Sequence, residues 1–395
     1  MFDDPDEWLD SRQPDFVFTL PQATHLAAQG DEDNRTIVFH LGNKQNLYLE
    51  RAEFIPGNQR AVHHAVDFYD GTRLLLDAQP RLGTPRPRNT DDEDNGPGYN
   101  SGMGLGFIPD PAKIMWNQDN PCGTFLGSVT AVGALKYPDE ARLVIPSQCD
   151  ICVQIHYPRT GWPEFDESSR LGIWLDKRPP RLYSTGGIID TTFKLIPKGE
   201  PDFKTTGPCE VPNDCLLWLI SPHMDRLGKE FRAWHQPAGS PERPLLLEVT
   251  NYGINWQHRY LPQEPYPMKK GSTLHVERIF DNSAGNPRHP PGPEQTVFLG
   301  DRTEDEMAFA VIGTMAEENS FGKVEWLRYL DKVIRARTFR LAYEAMEKES
   351  SIRWSASVAS TQSHQCNTPV TRWISPQRIP RMKTRERETT PTATA

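Results

Sequence analysis

Arg60-Ala-Val-His63-His64-Ala-Val-Asp67 places two adjacent histidines inside an apolar run. Successive residues of a β-strand point to opposite faces of the sheet, so a regular core strand would bury one imidazole and expose the other. A strand edge or a β-bulge can instead direct both rings at one metal ion. The motif by itself favours one buried and one exposed histidine. The rest of the chain favours two histidines that share a metal ion.

Short alternating segments on both sides of this stretch indicate an all-β fold. Of the 395 residues, 36% are hydrophobic and 25% are charged, a composition that supports a packed core. The 36 prolines and 28 glycines favour short strands and turns over long helices. Alternating segments bounded by turn-forming residues recur along most of the chain and predict strands, among them residues 36–40, 47–54, 152–157, 245–249 and 273–280. We therefore expect two tandem antiparallel β-sandwich domains of jelly-roll-like form.

The presence or absence of alternating apolar and polar residues divides the chain into five segments. Residues 1–13 are interpreted as a lead-in, 14–170 as the N-terminal sandwich and 171–318 as the C-terminal sandwich. Residues 319–349 carry apolar residues at helical spacing, which predicts an amphipathic C-terminal helix. From residue 350 the chain is rich in Ser, Thr and Arg, which predicts a disordered tail.

Charge and hydropathy argue against two classes of partner. The net charge of −9 disfavours a nucleic-acid-binding surface. No apolar run approaches the roughly 18 residues that a membrane span needs, so no span is expected. The acidic N-terminus lacks the apolar region of a signal peptide, so the chain is either cytosolic or a fragment of a longer exported protein.

Six cysteines raise the question of disulfides. Cys209 and Cys215 flank a turn-like loop that a disulfide could link, and disulfides would imply an oxidising compartment. Cys149 and Cys152 have CxxC spacing, but neither a second CxxC for zinc nor a βαβ context for a redox motif accompanies them. Structural or free thiols are the default expectation.

Several motifs follow one another in order along the β framework. They are His63-His64, Gln154-Ile-His156, Ser221-Pro-His223-Met-Asp225, Tyr252-Gly-Ile-Asn-Trp-Gln-His-Arg-Tyr260, and Phe280-Asp-Asn-Ser-Ala-Gly-Asn-Pro287 leading to Asp305-Glu-Met307. This order, over about residues 14–312, resembles the copper type II, ascorbate-dependent monooxygenases, the relatives of peptidylglycine α-hydroxylating monooxygenase and dopamine β-monooxygenase. Asp-Asn-Ser followed by Asn-Pro and then by Asp-Glu-Met is the specific part of the resemblance.

The resemblance implies two β-sandwich domains, each holding one copper ion beside a water-filled cleft. It implies that His63, His64 and His156 hold an electron-transfer copper, with Gln154 nearby to orient the site or contact substrate. The implied activity is hydroxylation of a C–H bond in a small-molecule or peptide substrate with O₂, with ascorbate as the one-electron reductant. It also implies export to the periplasm or the extracellular space.

The implied oxygen-activating copper site departs from the family pattern. His223 matches the first histidine of a His-x-His pair and Met307 matches a methionine ligand, but Asp225 stands where the second histidine is expected. A carboxylate is a harder ligand than imidazole and favours Cu(II) or another metal. Either the site works in a modified form, or it is degenerate in a non-catalytic copper-binding protein that acts in binding or assembly. His235 and His258 are alternative ligands, although ordinary surface or hydrogen-bonded histidines are the simpler explanation.

Three further positions lack the groups with which the peptide-hydroxylating enzyme recognises its substrate. Ser221 stands where that enzyme has a basic residue, and Phe309 and Val311 stand where it has polar residues. Met307 by itself would be interpreted as a core gap-filler. The acid pair at 305–306 is more typical of a turn, or of support for a ligand, than of a general acid and base.

Overall fold

The computed structural model describes Trp8 and residues 12–30, 32–71, 97–100, 122–125, 128–129, 133–190, 194–254, 258–289, 295–299 and 305–317. All regular secondary structure in these ranges is β-strand, which confirms the predicted all-β fold. The predicted helix at 319–349 and the predicted tail from residue 350 lie outside the described residues. The described part contains no helix that is long and apolar enough to span a membrane.

The strands of the first half are β1 Phe16–Thr19, β2 Thr24–Leu26, β3 Asp33–His40, β4 Leu47–Ile55, β5 His64–Asp70, β6 Tyr99–Asn100, β7 Cys122–Thr124, β8 Ser128–Val129, β9 Leu135–Lys136, β10 Ala141–Ile145, β11 Asp150–Tyr157, β12 Glu164–Asp166 and β13 Arg170–Asp176. The strands of the second half are β14 Leu182–Asp190, β15 Leu195–Ile196, β16 Phe203–Glu210, β17 Cys215–Met224, β18 Gly228–Gln236, β19 Leu245–Val249, β20 Tyr266–Met268, β21 Thr273–Phe280, β22 Val297–Phe298 and β23 Ala308–Ala316.

One large sheet contains strands from both halves, in the order β1-β13-β4-β10-β14-β23-β17-β20, with β9 paired to β4. Its β13 pairs with β1 and β4 of the first half. The two halves join where β10 pairs with β14, and this pairing is parallel, with Ala141 opposite Leu182 and Arg142 opposite Tyr183. The other pairings in the sheet are antiparallel, so the predicted antiparallel arrangement holds except at this junction.

Each half packs a second sheet against this large one, as a β-sandwich does. In the described residues of the first half, this sheet has the order β6-β3-β11-β5-β7, with β8 paired to β5. In the second half the packed sheet has the order β16-β21-β18-β19. One hydrophobic core fills each sandwich, and Trp218, Leu219 and Met315 of the second half contribute to the core of the first.

Strand β11 lies in the interior of the first-half sheet, between β3 and β5. Every residue of β11 is buried, so both faces of the sheet are covered at this strand. Ile151, Val153 and Ile155 belong to the first core. Because side chains alternate along a strand, Gln154 and His156 lie on the opposite face. We call this second face the histidine face.

The disulfide that could link Cys209 and Cys215 is not formed. Both cysteines are buried and free, as are Cys149 and Cys152. Cys209 lies in β16 and Cys215 begins β17, and both side chains belong to the second hydrophobic core. Burial raises the pKa of the Cys215 thiol to about 12, which makes this thiol a poor nucleophile.

Candidate metal centre

His63 and His64 turn to the same side because only His64 belongs to a strand. Strand β5 begins at His64, and the preceding residues form a turn in which the Val62 N–H donates to the Asn58 carbonyl at 2.9 Å. The His63 N–H donates to the His156 carbonyl at 2.9 Å. His63 therefore escapes the strand alternation, and its ring lies on the same side as that of His64.

The three imidazoles of His63, His64 and His156 form one cluster. His64 and His156 are direct cross-strand partners. The Nδ1 atom of His63 lies 3.2 Å from Nδ1 of His156 and 3.2 Å from Nδ1 of His64. One ligand nitrogen from each ring falls within a group spanning no more than 4.8 Å.

These separations match the size of a first-row transition-metal site. Nitrogen ligands about 2.0 Å from a tetrahedral ion stand about 3.3 Å from one another, close to the spacing of the Nδ1 atoms. Neutral imidazole is a good ligand for copper, zinc, iron and nickel. The cluster could therefore hold a metal ion without rearrangement of the strands that carry it.

Burial keeps two of the three histidines uncharged. Desolvation lowers the pKa of His63 to about 4, with a further contribution from His156. Burial also lowers the pKa of His64 well below its usual value, and the neighbouring His156 and His63 act in the same direction. Two of the three rings are therefore neutral at pH 7 and present a lone pair, which is the form that binds metal.

Glu32 contacts this cluster and was not identified from the sequence. Its Oε2 lies 2.5 Å from Nε2 of His156, on the far side of the ring from the other two histidines. Glu32 immediately precedes β3, and Asn34 of that strand is the cross-strand partner of His156. Because residues 32, 34 and 36 alternate with the core-facing positions, they lie on the histidine face. In the sequence, this alternation was the feature that could have indicated Glu32 as a neighbour of the histidines.

Gln154 lies on the same face, two residues before His156. It is buried, and its Nε2 donates to Oγ1 of Thr36 in the neighbouring strand at 3.2 Å. The side chain is therefore held within the sheet beside the cluster. The predicted contact with substrate stays a prediction.

The structure also brings together residues of the second predicted site. His223 ends β17 together with Met224, and Asp225 follows directly. Nε2 of His223 lies 3.7 Å from Oδ1 of Asp225. Phe309, the cross-strand partner of His223 in β23, stacks on its imidazole with ring centroids 4.3 Å apart. Met307 is buried just before that strand.

Glu306 organises the turn that carries Asp225. Its carboxylate accepts the backbone N–H groups of Asp225 and Leu227, the latter at 2.9 Å. The backbone N–H of Met307 also donates to the carboxylates of Asp225 and Glu306. Burial raises the pKa of Asp225 to about 7, while burial and then Asp225 raise the pKa of Glu306 well above its usual value. Glu306 thus has the supporting role that the sequence favoured.

The two sets of residues interact electrostatically. The charge of His223 is one of the causes that lower the pKa of both His63 and His64. The first set likewise acts on the second. Burial raises the pKa of Asp225 overall, and the charge of His156 is the largest of the effects that oppose this rise. The second set therefore lies close enough to the three histidines for its charge state to affect them.

His235 and His258 take ordinary positions. Nδ1 of His235 lies 3.1 Å from the Tyr266 hydroxyl, and the two rings pack edge to face. The backbone carbonyl of His258 accepts the Ser221 hydroxyl at 3.2 Å. Among the described residues, the group of three histidine, cysteine or acidic side chains that could hold a metal ion is the His63, His64 and His156 cluster.

Comparison with known proteins assigns no family. No protein-family model matches the chain, and no curated protein matches it. Among solved structures, the infectious bursal disease virus VP2 subviral particle matches with 10% identity over 81% of this chain and 76% of that chain, at a TM-score of 0.21. The infectious bursal disease virus Gx strain matches with 9% identity over 79% and 76%, at a TM-score of 0.18. Because both TM-scores are low, these likenesses bear on neither the fold nor the function.

Proposed function

We propose that this protein is a copper-dependent monooxygenase that hydroxylates a C–H bond of a small-molecule or peptide substrate. The observation that carries the proposal is the convergence of the His63, His64 and His156 Nδ1 atoms at 3.2 Å spacing on a buried sheet face. Three imidazole ligands suit copper in both of its common oxidation states. The choice of copper over zinc comes from the order of the motifs along the chain.

Each residue of the proposed site has a defined task. His63, His64 and His156 hold one ion, and His223, Met307 and Asp225 hold a second. Bound copper supplies the one-electron and O₂ chemistry, with ascorbate as reductant. Gln154 lies buried on the same face as His156, where it helps to orient the site. Phe309 stacks on His223 and restricts its ring to one orientation.

A second candidate function is copper binding without catalysis, in a protein that acts in binding or assembly. Two observations favour it. Asp225 replaces the expected imidazole, and its carboxylate already accepts the Met307 N–H. Phe309 covers one face of His223, where a substrate or an oxygen species would need room. Either function is compatible with an exported protein.

Metal content separates the two candidates. We would load the purified protein and the Asp225→His variant with copper, and count ions per chain by elemental analysis. His40→Ala is the matched control, because His40 is a half-exposed histidine of β3 that lies away from the cluster. Two ions in the natural protein support the monooxygenase. One ion, rising to two in the variant, supports the non-catalytic function. No copper in either protein overturns both.

A further inference from the structure

We propose that Glu32 is the positioning residue of the three-histidine cluster. Its carboxylate accepts the Nε2–H of His156, and this fixes the ring so that the Nδ1 lone pair points at the other two histidines. The inference rests on the proposed metal centre, because its purpose is to prepare His156 as a ligand.

The contact between Glu32 and His156 determines which nitrogen of His156 carries the proton. A neutral imidazole has one N–H, and a carboxylate can only accept. With Oε2 of Glu32 2.5 Å from Nε2, the proton belongs on Nε2 and the lone pair on Nδ1. Nδ1 is also the atom that lies 3.2 Å from Nδ1 of His63. In the metal-free chain, His156 Nδ1 is therefore the acceptor in that contact and His63 is the donor.

The location of Glu32 suits this task. Its side chain is 22% exposed and that of His156 is 9% exposed, so water competes little for the bond. The Glu32 carbonyl accepts Asn100 Nδ2 at 3.4 Å, which holds the segment that leads into β3. The carboxylate thereby links the residue before β3 to the end of β11, the strand that pairs with the start of β5.

Charge gives a second reason for a carboxylate at this position. The three ligands are neutral imidazoles, so a bound copper ion would bring uncompensated positive charge into a mostly buried site. A carboxylate on the outer nitrogen of one ligand offsets part of that charge and raises the basicity of the ligating nitrogen. Loss of such a partner typically weakens metal binding about 10- to 100-fold.

The test uses the full chain with ¹⁵N-labelled histidine, in the natural form and as Glu32→Gln and Glu32→Ala. His40→Ala is the matched control, because it breaks the other histidine–carboxylate contact between β3 and β11, where Nδ1 of His40 lies 2.7 Å from Asp150. Nitrogen chemical shifts of the metal-free proteins report which nitrogen of His156 is protonated. Competition titration with a copper chelator reports the Kd for Cu(II).

The proposal expects the Nε2–H form of His156 in the natural chain and in His40→Ala, and loss of that single form in Glu32→Ala. It expects the Kd for copper to rise about 10- to 100-fold in Glu32→Ala, and less in Glu32→Gln, whose carbonyl can still accept the N–H. An Nδ1–H form in the natural chain, or an unchanged Kd in a folded Glu32→Ala variant, overturns it. If Glu32→Ala does not fold, the nitrogen chemical shifts of the natural chain and the Kd of Glu32→Gln test the proposal instead.

Failure of the proposed function gives a different pattern of results. A natural chain that binds no copper overturns the metal centre. In that case the position of the proton on His156 still shows whether Glu32 orients the His156 ring. A natural chain that binds copper tightly, with His156 protonated on Nδ1, keeps the metal centre and removes Glu32 from it.

Discussion

Asp67 places a carboxyl group inside the first core, three residues after His64 and on the opposite face of β5. Its Oδ1 has no hydrogen-bond partner among the described residues. Burial raises the pKa of Asp67 to about 7, although the guanidinium of Arg259 acts in the other direction. The native protein therefore keeps a proton that the unfolded chain releases near pH 4.

The consequence is a stability that falls with pH. Between about pH 4 and 7 the unfolded state binds fewer protons at this position than the native state, so the free energy of unfolding decreases as pH rises. We expect Asp67→Asn to raise this free energy by about 2 kcal/mol at pH 8 relative to the natural protein, and to change it little at pH 4. Urea unfolding midpoints at the two pH values measure it.

Asp139→Asn is the matched control for this prediction, because Asp139 is an exposed carboxyl group. Its midpoints should follow those of the natural protein at both pH values. A natural protein whose stability rises from pH 4 to 8, with a smaller rise in Asp67→Asn, would contradict this prediction and show that Asp67 is ionised in the core and stabilised by Arg259.

The resemblance to the copper monooxygenases predicted which histidines would converge, but the sequence did not predict that Glu32 would contact His156. Two histidines next to each other, and a third at the end of an apolar strand, form a pattern within short windows of the chain. The contact of Glu32 with His156 joins positions 124 residues apart, and that of Glu306 with Leu227 joins positions 79 apart. Such contacts depend on strand register, which no single segment contains.

At the scale of elements, alternation predicted several strands well. Leu245–Val249 and Thr273–Phe280 have the predicted bounds, and the segments at 36–40, 47–54 and 152–157 lie within longer strands. Strand β16 was missed because it contains Gly207 and Pro208, which normally argue against a strand. It lies at the edge of its sheet, where a missing N–H leaves no partner unsatisfied.

The turn before β5 is the element that gives the cluster its third ligand. Asn58 stabilises this turn, because its Oδ1 accepts the backbone N–H of Arg60 at 3.0 Å. Its Nδ2 donates to the Phe165 carbonyl at 2.9 Å and so ties the turn to the β12 strand. We expect Asn58→Ala to free His63 and weaken copper binding about tenfold, with His64 and His156 still in place. The chelator titration measures this.

Asn46→Ala is a suitable control, because Asn46 accepts the Ser147 N–H at 3.0 Å in a loop that does not carry a histidine of the cluster. Its copper affinity should equal that of the natural protein. An Asn58→Ala variant with natural affinity would mean that the backbone bond between His63 and His156 positions His63 without help from the turn.

At the scale of the whole molecule, the two sandwiches share a sheet, and this feature was not predicted from the sequence. Composition and alternation suggested two tandem domains, each closed on itself. In the structure, β10 of the first half pairs with β14 of the second, and the second half adds side chains to the first core. A parallel junction of two residues a side is too short to leave a periodic signal in the sequence.

Trp218 is the largest side chain that the second half contributes to the first core. It is 4% exposed, its Nε1 donates to Ser184 Oγ at 3.1 Å, and its ring lies 5.6 Å from that of Tyr137. Because it packs where the halves meet, its loss should destabilise both. We expect Trp218→Ala to lower the free energy of unfolding by about 3–5 kcal/mol and to leave a single transition.

Urea unfolding is followed by near-ultraviolet circular dichroism and by release of copper from the His63, His64 and His156 cluster, which reports on the first half. Trp162→Ala is the control, since Trp162 is 67% exposed and its removal should leave the midpoint unchanged. Coincident curves from the two probes, both shifted in Trp218→Ala, are the expected result. Copper release that shifts while a second transition keeps its natural midpoint would mean that the shared sheet joins two sandwiches that unfold independently.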